Sequence, residues 1–582
     1  MRRAPLRDAG VTERGTMRWR IVDPEDDATA AAIAALGAEL RLPAVMCALL
    51  ARRGHATPEE ARRYLRPKFD QLLPPSRLPA LDDAVARIAR AIAGGERILI
   101  HGDYDVDGIC STTILVRLLR RIGARVTPFI PRRIEDGYDL SMAGVRAAVD
   151  AGAALVITVD CGTNAVSPAR ALRDAGIDLI IVDHHLPAAE TPACVALVNP
   201  KGADADYPDP DLAAAGLTFK LALAIAASQG VAEDEVLRML DLVALATVAD
   251  IAPLRGENRV LARLGLKVMA QTENVGLRAL LRAAGLEGRA LTAGRLGFVL
   301  APRLNAAGRI GDAMRGVELL TTDDPHRAMT IARECEELNR KRQDLDQRTL
   351  ERARALAGRL DLDRTRGIVL AEAGWHPGVI GIVASRIVEE FHRPAVLIAL
   401  GDDDGKGSGR SIPAFDLHAG LIECGDLLVR FGGHRAAAGV TISPERVEPF
   451  AERFNAVASA RLAADDLVPE LRVDLEIPLA AATDELEALL RHLEPFGPGN
   501  PSPVFVARQV HLSGAPRTVG KGGSHLKLRL SDGAAELEAI GWGMGEQASR
   551  LGAGPVDVAF RLERDEYKGE SRLQAKLADL RT

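Results

Sequence analysis

From about residue 81 the chain alternates short apolar runs with longer amphipathic stretches. Apolar runs at 98–100, 126–130, 155–159, 179–182 and 195–198, with helix-period segments between them, predict a doubly wound parallel sheet of the α/β class. The pattern returns on a smaller scale at 368–371 and 396–400, which predicts a second α/β domain over 361–462. Between the two, residues 325–360 are polar with charges of alternating sign, the signature of a long, solvated connector helix. Beyond 463 the pattern is mixed. Residues 471–477 alternate like a strand and 485–493 follow a helical period. From 503 short strands are punctuated by turns at Gly514, Lys521-Gly522-Gly523, Asp532-Gly533 and Lys568-Gly569, which predicts a small β-barrel within 463–582. Ahead of the first sheet, 17–79 reads as a small helical region, and Thr57-Pro58-Glu59-Glu60 is a capping-box start. Its Arg52, Arg53, Arg62, Arg63 and Arg66 suit a phosphate backbone or a solvated helix face. Residues 1–16 read as a disordered tail, with Met17 the first structured residue and 80–324 the first large domain.

Composition narrows the class without deciding it. A chain of 582 residues is too long for one core. Its 47% hydrophobic and 26% charged content is that of a globular protein. The longest apolar stretch, 213–232, is Ala-rich and carries Lys220, so it predicts a core helix and not a membrane span. The six cysteines show no CxxC spacing, which points to reduced thiols in the cytoplasm, and no apolar signal segment precedes Met17. A net charge of −6 gives no global sign of a nucleic-acid partner, but a metal cluster with a local basic groove can act inside an acidic protein.

The candidate chemistry begins at 97–113, R-I-L-I-H-G-D-Y-D-V-D-G-I-C-S-T-T. His101, Asp103, Asp105 and Asp107 fall on alternate positions at the end of an apolar run, so an extended chain points all four to one side. Gly108 then allows a turn into a helix over 109–121. Three carboxylates that close repel one another unless a multivalent cation holds them; otherwise the stretch is an Asp-rich loop with a stray histidine. Later strands end in Val159-Asp160 and in Val182-Asp183-His184-His185, and an apolar helix ends at Asp250. Strand ends of one sheet gather at one edge, so His101, Asp105, Asp107, Asp160, His184, His185 and Asp250 are expected to converge. Carboxylate and imidazole donors without thiolate suit Mn²⁺, Mg²⁺ or Fe²⁺ better than structural zinc. Two such ions about 3.5–4 Å apart clamp the oxygens of an in-line phosphoryl displacement, so the chemistry points to a two-metal phosphohydrolase.

H-G-D-Y-D-V-D-G, V-D-C-G (159–162), D-H-H (183–185) and T-V-A-D (247–250) resemble the successive motifs of the DHH phosphoesterase superfamily. A-P-R-L-N-A-A-G-R-I (301–310), G-W-H-P-G-V-I-G-I-V-A-S-R-I (374–387), K-G-S-G-R-S-I (406–412) and G-G-H-R-A-A-A-G (432–439) narrow the resemblance to the RecJ exonucleases, from about residue 45 onward. That resemblance implies two ions, Mn²⁺ or Mg²⁺. His101, Asp105 and Asp160 would hold one, Asp107, Asp160, His184 and Asp250 the other, with Asp160 as the bridge. His185 and Asp103 would orient ligands or pass protons.

The resemblance also implies a DHHA1-type substrate domain facing the metals across a cleft. In it Ser408, Arg410 and His434 would bind phosphate, and the helix starting at Pro377 would offer an anion-friendly terminus. Arg132, Arg303 and Asn305 are further phosphate candidates. In the RecJ family an OB-fold occupies the C-terminal part, where Lys521, His525, Lys527, Arg529, Trp542, Tyr567 and Lys568 would line a single-strand track. The expected activity is metal-dependent 5′→3′ degradation of single-stranded DNA to nucleoside 5′-monophosphates in repair and recombination, with single-strand-binding protein or a helicase as partner. The alternatives are a short-oligonucleotide phosphodiesterase of the nanoRNase type, a pyrophosphatase and a non-catalytic Cdc45-like scaffold. The extra N- and C-terminal parts weigh against the first, the Gly-Gly-His segment against the second and the intact ligand set against the third.

Overall fold

A computed structural model of the chain describes residues 17–21, 27–133, 135–137, 139–202, 205–552, 554–565 and 571–582. The tail expected at 1–16, and Tyr567 and Lys568, lie outside the described residues. The chain divides into two units, one of residues 57–340 with 489–502, the other of the remainder.

The first unit is built on five parallel strands: β1 (Arg97–Gly102), β2 (Arg125–Phe129), β3 (Leu155–Val159), β4 (Asp178–Val182) and β5 (Ala196–Val198), in the order β2-β1-β3-β4-β5. β3 is buried along its whole length because helices cover both faces, which is why it reads as an unbroken apolar run. The strand order reverses between β1 and β3. Crossovers leave these two strands in opposite directions, so a crevice opens at their carboxyl ends. Helix α1 (Val106–Arg121) follows β1, and α2 (Ala214–Ser228) and α3 (Leu240–Ala249) complete the core. α2 is the apolar stretch expected in the core. Its Lys220 is buried and paired, 2.7 Å from Glu257 and 2.6 Å from the Leu73 carbonyl. Among the described residues no helix is long and apolar enough to cross a membrane.

Two local expectations shift here. α1 starts at Val106, not after Gly108, because Asp105 caps it by accepting the N–H groups of Asp107 (2.9 Å) and Gly108 (3.1 Å). Residues 489–502, placed by sequence in the C-terminal domain, pack in this first unit: Asn500 accepts the Tyr64 hydroxyl at 2.7 Å, and Arg259 donates to the Leu493 carbonyl at 2.8 Å. The capping box at Thr57 forms as read, with Glu60 accepting the Thr57 N–H at 3.0 Å.

Helix α4 (Ala301–Ile310) also belongs to the first unit, and the 33-residue α5 (Pro325–Ala357) runs from one unit into the other. α5 is less solvated than its charges suggested. Ala328, Ile331, Ala332 and Cys335 are buried in the first unit's core, and Leu350, Ala353 and Ala357 in a core of the second. A sparse stripe at helical spacing sits beneath the charges.

The second unit carries a mixed sheet of β6 (Ile368–Ala373), β7 (Ala395–Leu400), β8 (Gly405–Arg410), β9 (Arg430–Gly433) and β10 (Ala437–Ile442), ordered β9-β10-β8-β7-β6. The glycine-rich K-G-S-G-R segment is the central strand of this sheet. Gly405, Gly407 and Gly409 share one face, where a Cβ would crowd Ile398, Val440 and Leu417, while Lys406, Ser408 and Arg410 take the other. Helix α6 (Ile380–Phe391) starts three residues after Pro377, because the His376 ring accepts the Gly378 N–H at 3.0 Å and closes a turn first.

The C-terminal part of this unit forms a closed barrel of β11 (Phe505–Leu512), β12 (His525–Ser531), β13 (Glu536–Gly541), β14 (Val556–Asp565) and β15 (Arg572–Arg581). Its ring order is β11-β14-β15-β13-β12-β11, with β13 and β15 parallel. Residues Arg18–Ile21, expected in a helical region, are a strand paired in parallel with Glu470–Val473. A partner some 450 residues away leaves no local trace.

Candidate metal centre

The carboxyl ends of β1, β3 and β4 and the C-terminus of α3 supply the acidic and imidazole groups of the centre. Ligand atoms of Asp103, Asp105 and Asp160 lie within 4.8 Å of one another, as do those of Asp107, His184 and Asp250 and those of Asp160, Asp183, His184 and His185. His184 links these groups: its Nε2 is 3.2 Å from Asp160 Oδ1 and its Nδ1 4.0 Å from Asp250 Oδ2. Asp160 holds its place with a left-handed backbone, φ 63°, at the turn that follows β3. A non-glycine residue in that region is strained, and asparagine and aspartate tolerate it best.

Asp103, Asp107, Asp160 and Asp183 are buried, whereas Asp105 and Asp250 are part-exposed. Asp107 sits on the N-terminus of α2, where its two oxygens accept the N–H groups of Ala214 and Ala215, both at 2.8 Å. Burial, then the charge of Asp105, pushes the Asp107 carboxyl up to about 7. Burial raises Asp103, Asp160 and Asp250 as well, followed by the repulsion of neighbouring carboxylates. Burial, then the charge of His185, lowers His184 to about 4, so its imidazole is neutral and one ring nitrogen keeps a lone pair for a cation. Crowded oxygen donors, neutral imidazole and a buried Asp103 Oδ1 with no hydrogen-bond partner fit a hard or borderline divalent cation.

His185 is set up differently. Its Nδ1 lies 2.7 Å from Asp183 Oδ1, and although burial opposes the charge, Asp183 raises this imidazole to about 9. Asp183 also accepts the backbone N–H groups of Thr163 (3.0 Å), His184 (2.8 Å) and His185 (3.2 Å), which fixes the D-H-H turn. Asn199, after β5, donates to the His185 carbonyl and to Thr163, both at 2.9 Å. Asp139 braces the other strand end by accepting the Gly162 N–H at 2.6 Å. The supporting roles of these three residues were not read from the sequence. Asp183 was in view within the motif and Asn199 is a polar residue at a strand end, but nothing local marks Asp139.

His101 is not drawn into these groups. Its ring is fully buried beside Phe129, with Nδ1 3.5 Å from Cys161 Sγ and no hydrogen-bond partner at Nε2, and burial lowers it to about 4. The ligand set implied by resemblance joined His101 to Asp105 and Asp160; the structure gathers Asp103 with those two instead. The physical reason is the end of the strand. Period-two alternation holds only through Gly102, so His101 belongs to the pleat and the later aspartates to the loop and helix.

Comparison with known proteins agrees with this architecture. Residues 97–247 match the DHH family, N-terminal domain; 364–460 match the DHHA1 domain; and 473–579 match the RecJ OB domain. The single-stranded-DNA-specific exonuclease RecJ of Bacillus subtilis (strain 168) is 36% identical over 566 residues, 97% of this chain and 70% of that protein. The chain belongs to the RecJ family. The RecJ of Dickeya dadantii (strain 3937) is 35% identical over 561 residues, covering 93% of this chain and 96% of its own. The crystal structure of RecJ in complex with Mn²⁺ from Thermus thermophilus matches with a TM-score of 0.84 at 33% identity, over 98% of this chain and 80% of that one.

The remaining candidates fall in three places in this RecJ-family chain. In the DHH part, Arg132 is exposed and paired with Glu135 at 3.0 Å. Arg303 is held by Glu336 at 2.6 Å and by the Val299 carbonyl, and Asn305 accepts the Val106 N–H at 3.2 Å. In the DHHA1 domain, Arg410 donates to Ser408 Oγ at 3.2 Å, and both lie against the first turn of α6, where a Cβ on Gly381 would sit 2.9 Å from Ser408 Oγ and 3.2 Å from Arg410. His434 is exposed in the turn between β9 and β10. In the OB domain, Trp542 is 55% exposed with its ring edge-on to His525 at 4.6 Å. Lys527 and Arg529 share Glu538, at 3.2 and 3.6 Å, while Lys521 is exposed.

Proposed function

We propose that this chain is a metal-dependent exonuclease that hydrolyses single-stranded DNA in the 5′→3′ direction to nucleoside 5′-monophosphates. Its setting is cytoplasmic DNA repair and recombination, with single-strand-binding protein or a helicase presenting the strand. The observation that carries the reading is the gathering of Asp103, Asp105, Asp107, Asp160, His184 and Asp250 at the switch point of the parallel sheet. The substrate is the one for which the RecJ relatives are named.

Two ions, Mn²⁺ or Mg²⁺, fit the donor set. Asp107, His184 and Asp250 would hold one, Asp103 and Asp105 the other, with Asp160 between them; His101 stays outside these sets. Bound there, the ions supply Lewis acidity toward water and the phosphodiester. The protein's own groups do the rest. α2 and Asp183 fix the orientations of Asp107 and His185. His185, held protonated by Asp183, can give a proton to the departing oxygen from Nε2. Ser408, Arg410 and His434 offer a phosphate-binding set, and Trp542 with His525 a platform for bases.

The test uses single strands labelled at one end or the other, with Mn²⁺ or with chelator. A 5′ label should be released first, as mononucleotide, and only with metal. Hydrolysis that persists in chelator, or early release of the 3′ label, would overturn the reading.

A further inference from the structure

We infer that Asn305 is a positioning residue that keys the carboxylate loop to α4, and not a ligand of the substrate's phosphates. Asn305 Oδ1 accepts the backbone N–H of Val106 at 3.2 Å. Val106 is the first residue of α1, so its N–H is one of those that a helix cannot satisfy internally. Asp105 takes the N–H groups of Asp107 and Gly108, and Asn305 takes that of Val106. Val106 is 1% exposed, so water does not replace that acceptor.

One turn further along α4 the helix touches the loop again. A Cβ at Gly308 would run into the Tyr104 carbonyl oxygen and lie 3.4 Å from the Tyr104 side chain. α4 therefore meets the loop backbone at Tyr104 and at Val106, on either side of Asp105. Asp105 in turn stands with Asp103 and Asp160. A shift of the loop at either contact would move two of the carboxylates in that group. The A-A-G spacing after Asn305 has the same explanation, since residues i and i+3 face one side of a helix and Gly308 must admit a backbone there.

This inference rests on the proposed metal centre, and calorimetric Mn²⁺ titration of the chelator-stripped full chain tests it without substrate. N305A should bind Mn²⁺ about ten- to a hundredfold more weakly, the range for lost ligand supports. Its kcat on a single-stranded oligonucleotide should fall while KM stays within about threefold, because a positioning residue acts on the centre and not on strand binding. N305D, which keeps an oxygen at the same place, should restore Mn²⁺ affinity to within about threefold of the unaltered chain. Unchanged Mn²⁺ affinity with a raised KM in both variants, N305D the worse because a carboxylate repels phosphate, would overturn the inference. If N305A does not fold, N305D decides alone: Mn²⁺ affinity and KM like those of the unaltered chain support it, and a raised KM overturns it. An unaltered chain that binds Mn²⁺ but leaves DNA intact would sink the proposed function and leave this inference standing.

Discussion

His185 Nδ1 lies 2.7 Å from Asp183 Oδ1, an ion pair between a buried carboxylate and a part-exposed imidazole at the turn that carries the centre's imidazoles. The pair fixes a pH window for the metal-free protein. Asp183 is held below the usual carboxylate range despite burial, chiefly by the hydrogen bond and charge of His185, so its contribution is present above pH 3.8 and lost as pH falls below that. His185 is raised to about 9, so its contribution is complete below 6.5 and lost as pH rises through about 9. Urea unfolding in chelator should therefore show wild-type stability falling between pH 6.5 and 9 more steeply than that of Asp183→Asn. Parallel curves for the two would exclude the pair as a source of stability.

Asp160 combines a strained backbone with a central place among the candidate ligands. Asp160→Asn removes the charge and tolerates φ 63°, whereas Asp160→Ala adds backbone strain of roughly 1–2 kcal/mol. Both should lose at least two orders of magnitude of hydrolysis and lower the bound metal measured by elemental analysis. Only Asp160→Ala should also show a clearly reduced Tm. Activity above a few per cent with full metal content would remove Asp160 from the bridging role.

Metal uptake should release protons. The Asp107 carboxyl stands at about 7 without metal, so a cation must displace its proton at and below neutrality. Apparent Mn²⁺ affinity should weaken as pH falls below 7, by about tenfold per unit for each proton displaced. Calorimetry in buffers of different ionisation enthalpy counts those protons. A count of zero at pH 6 would contradict the burial argument for Asp107.

Arg410 and Ser408 lie together against the first turn of α6. If they receive the strand's terminal phosphate, a 5′-phosphorylated strand should be degraded faster than a 5′-hydroxyl strand, and Arg410→Ala should erase the difference. One charge-assisted contact corresponds to about 1.5–3 kcal/mol, roughly ten- to more than a hundredfold. Equal rates on both strands in the unaltered chain would assign this pocket another ligand.

The barrel's exposed Trp542, edge-on to His525, is the remaining probe. Trp542→Ala should weaken binding of a long single strand by about 1–3 kcal/mol and leave cleavage of a dinucleotide unchanged. Point substitution is a cleaner probe than truncation at 462, which would strip Arg18–Ile21 of its partner strand. An unchanged affinity would take Trp542 off the track.

The order of the elements and the chemistry at their ends were legible in the chain alone. Fully buried strands must be apolar throughout, and parallel strands must end at one edge, so Asp160, Asp183, His184 and His185 declared themselves as polar residues after apolar runs. The capping box at Thr57 was legible for the same reason, because its partners lie three residues apart. What depends on distant partners emerged only from the folded chain. Asp103, and not His101, stands beside Asp105 and Asp160, because the pleat stops at Gly102. Arg303 is tied to Glu336 and Asn305 to Val106, partners that no local pattern of the chain announces. The glycines of β8 make a central strand because Ile398, Val440 and Leu417 fill the space where their side chains would be. Residue type and spacing specify which groups can take part. Which of them meet is a matter of long-range packing, because a side chain's partners are set by the backbone of other elements.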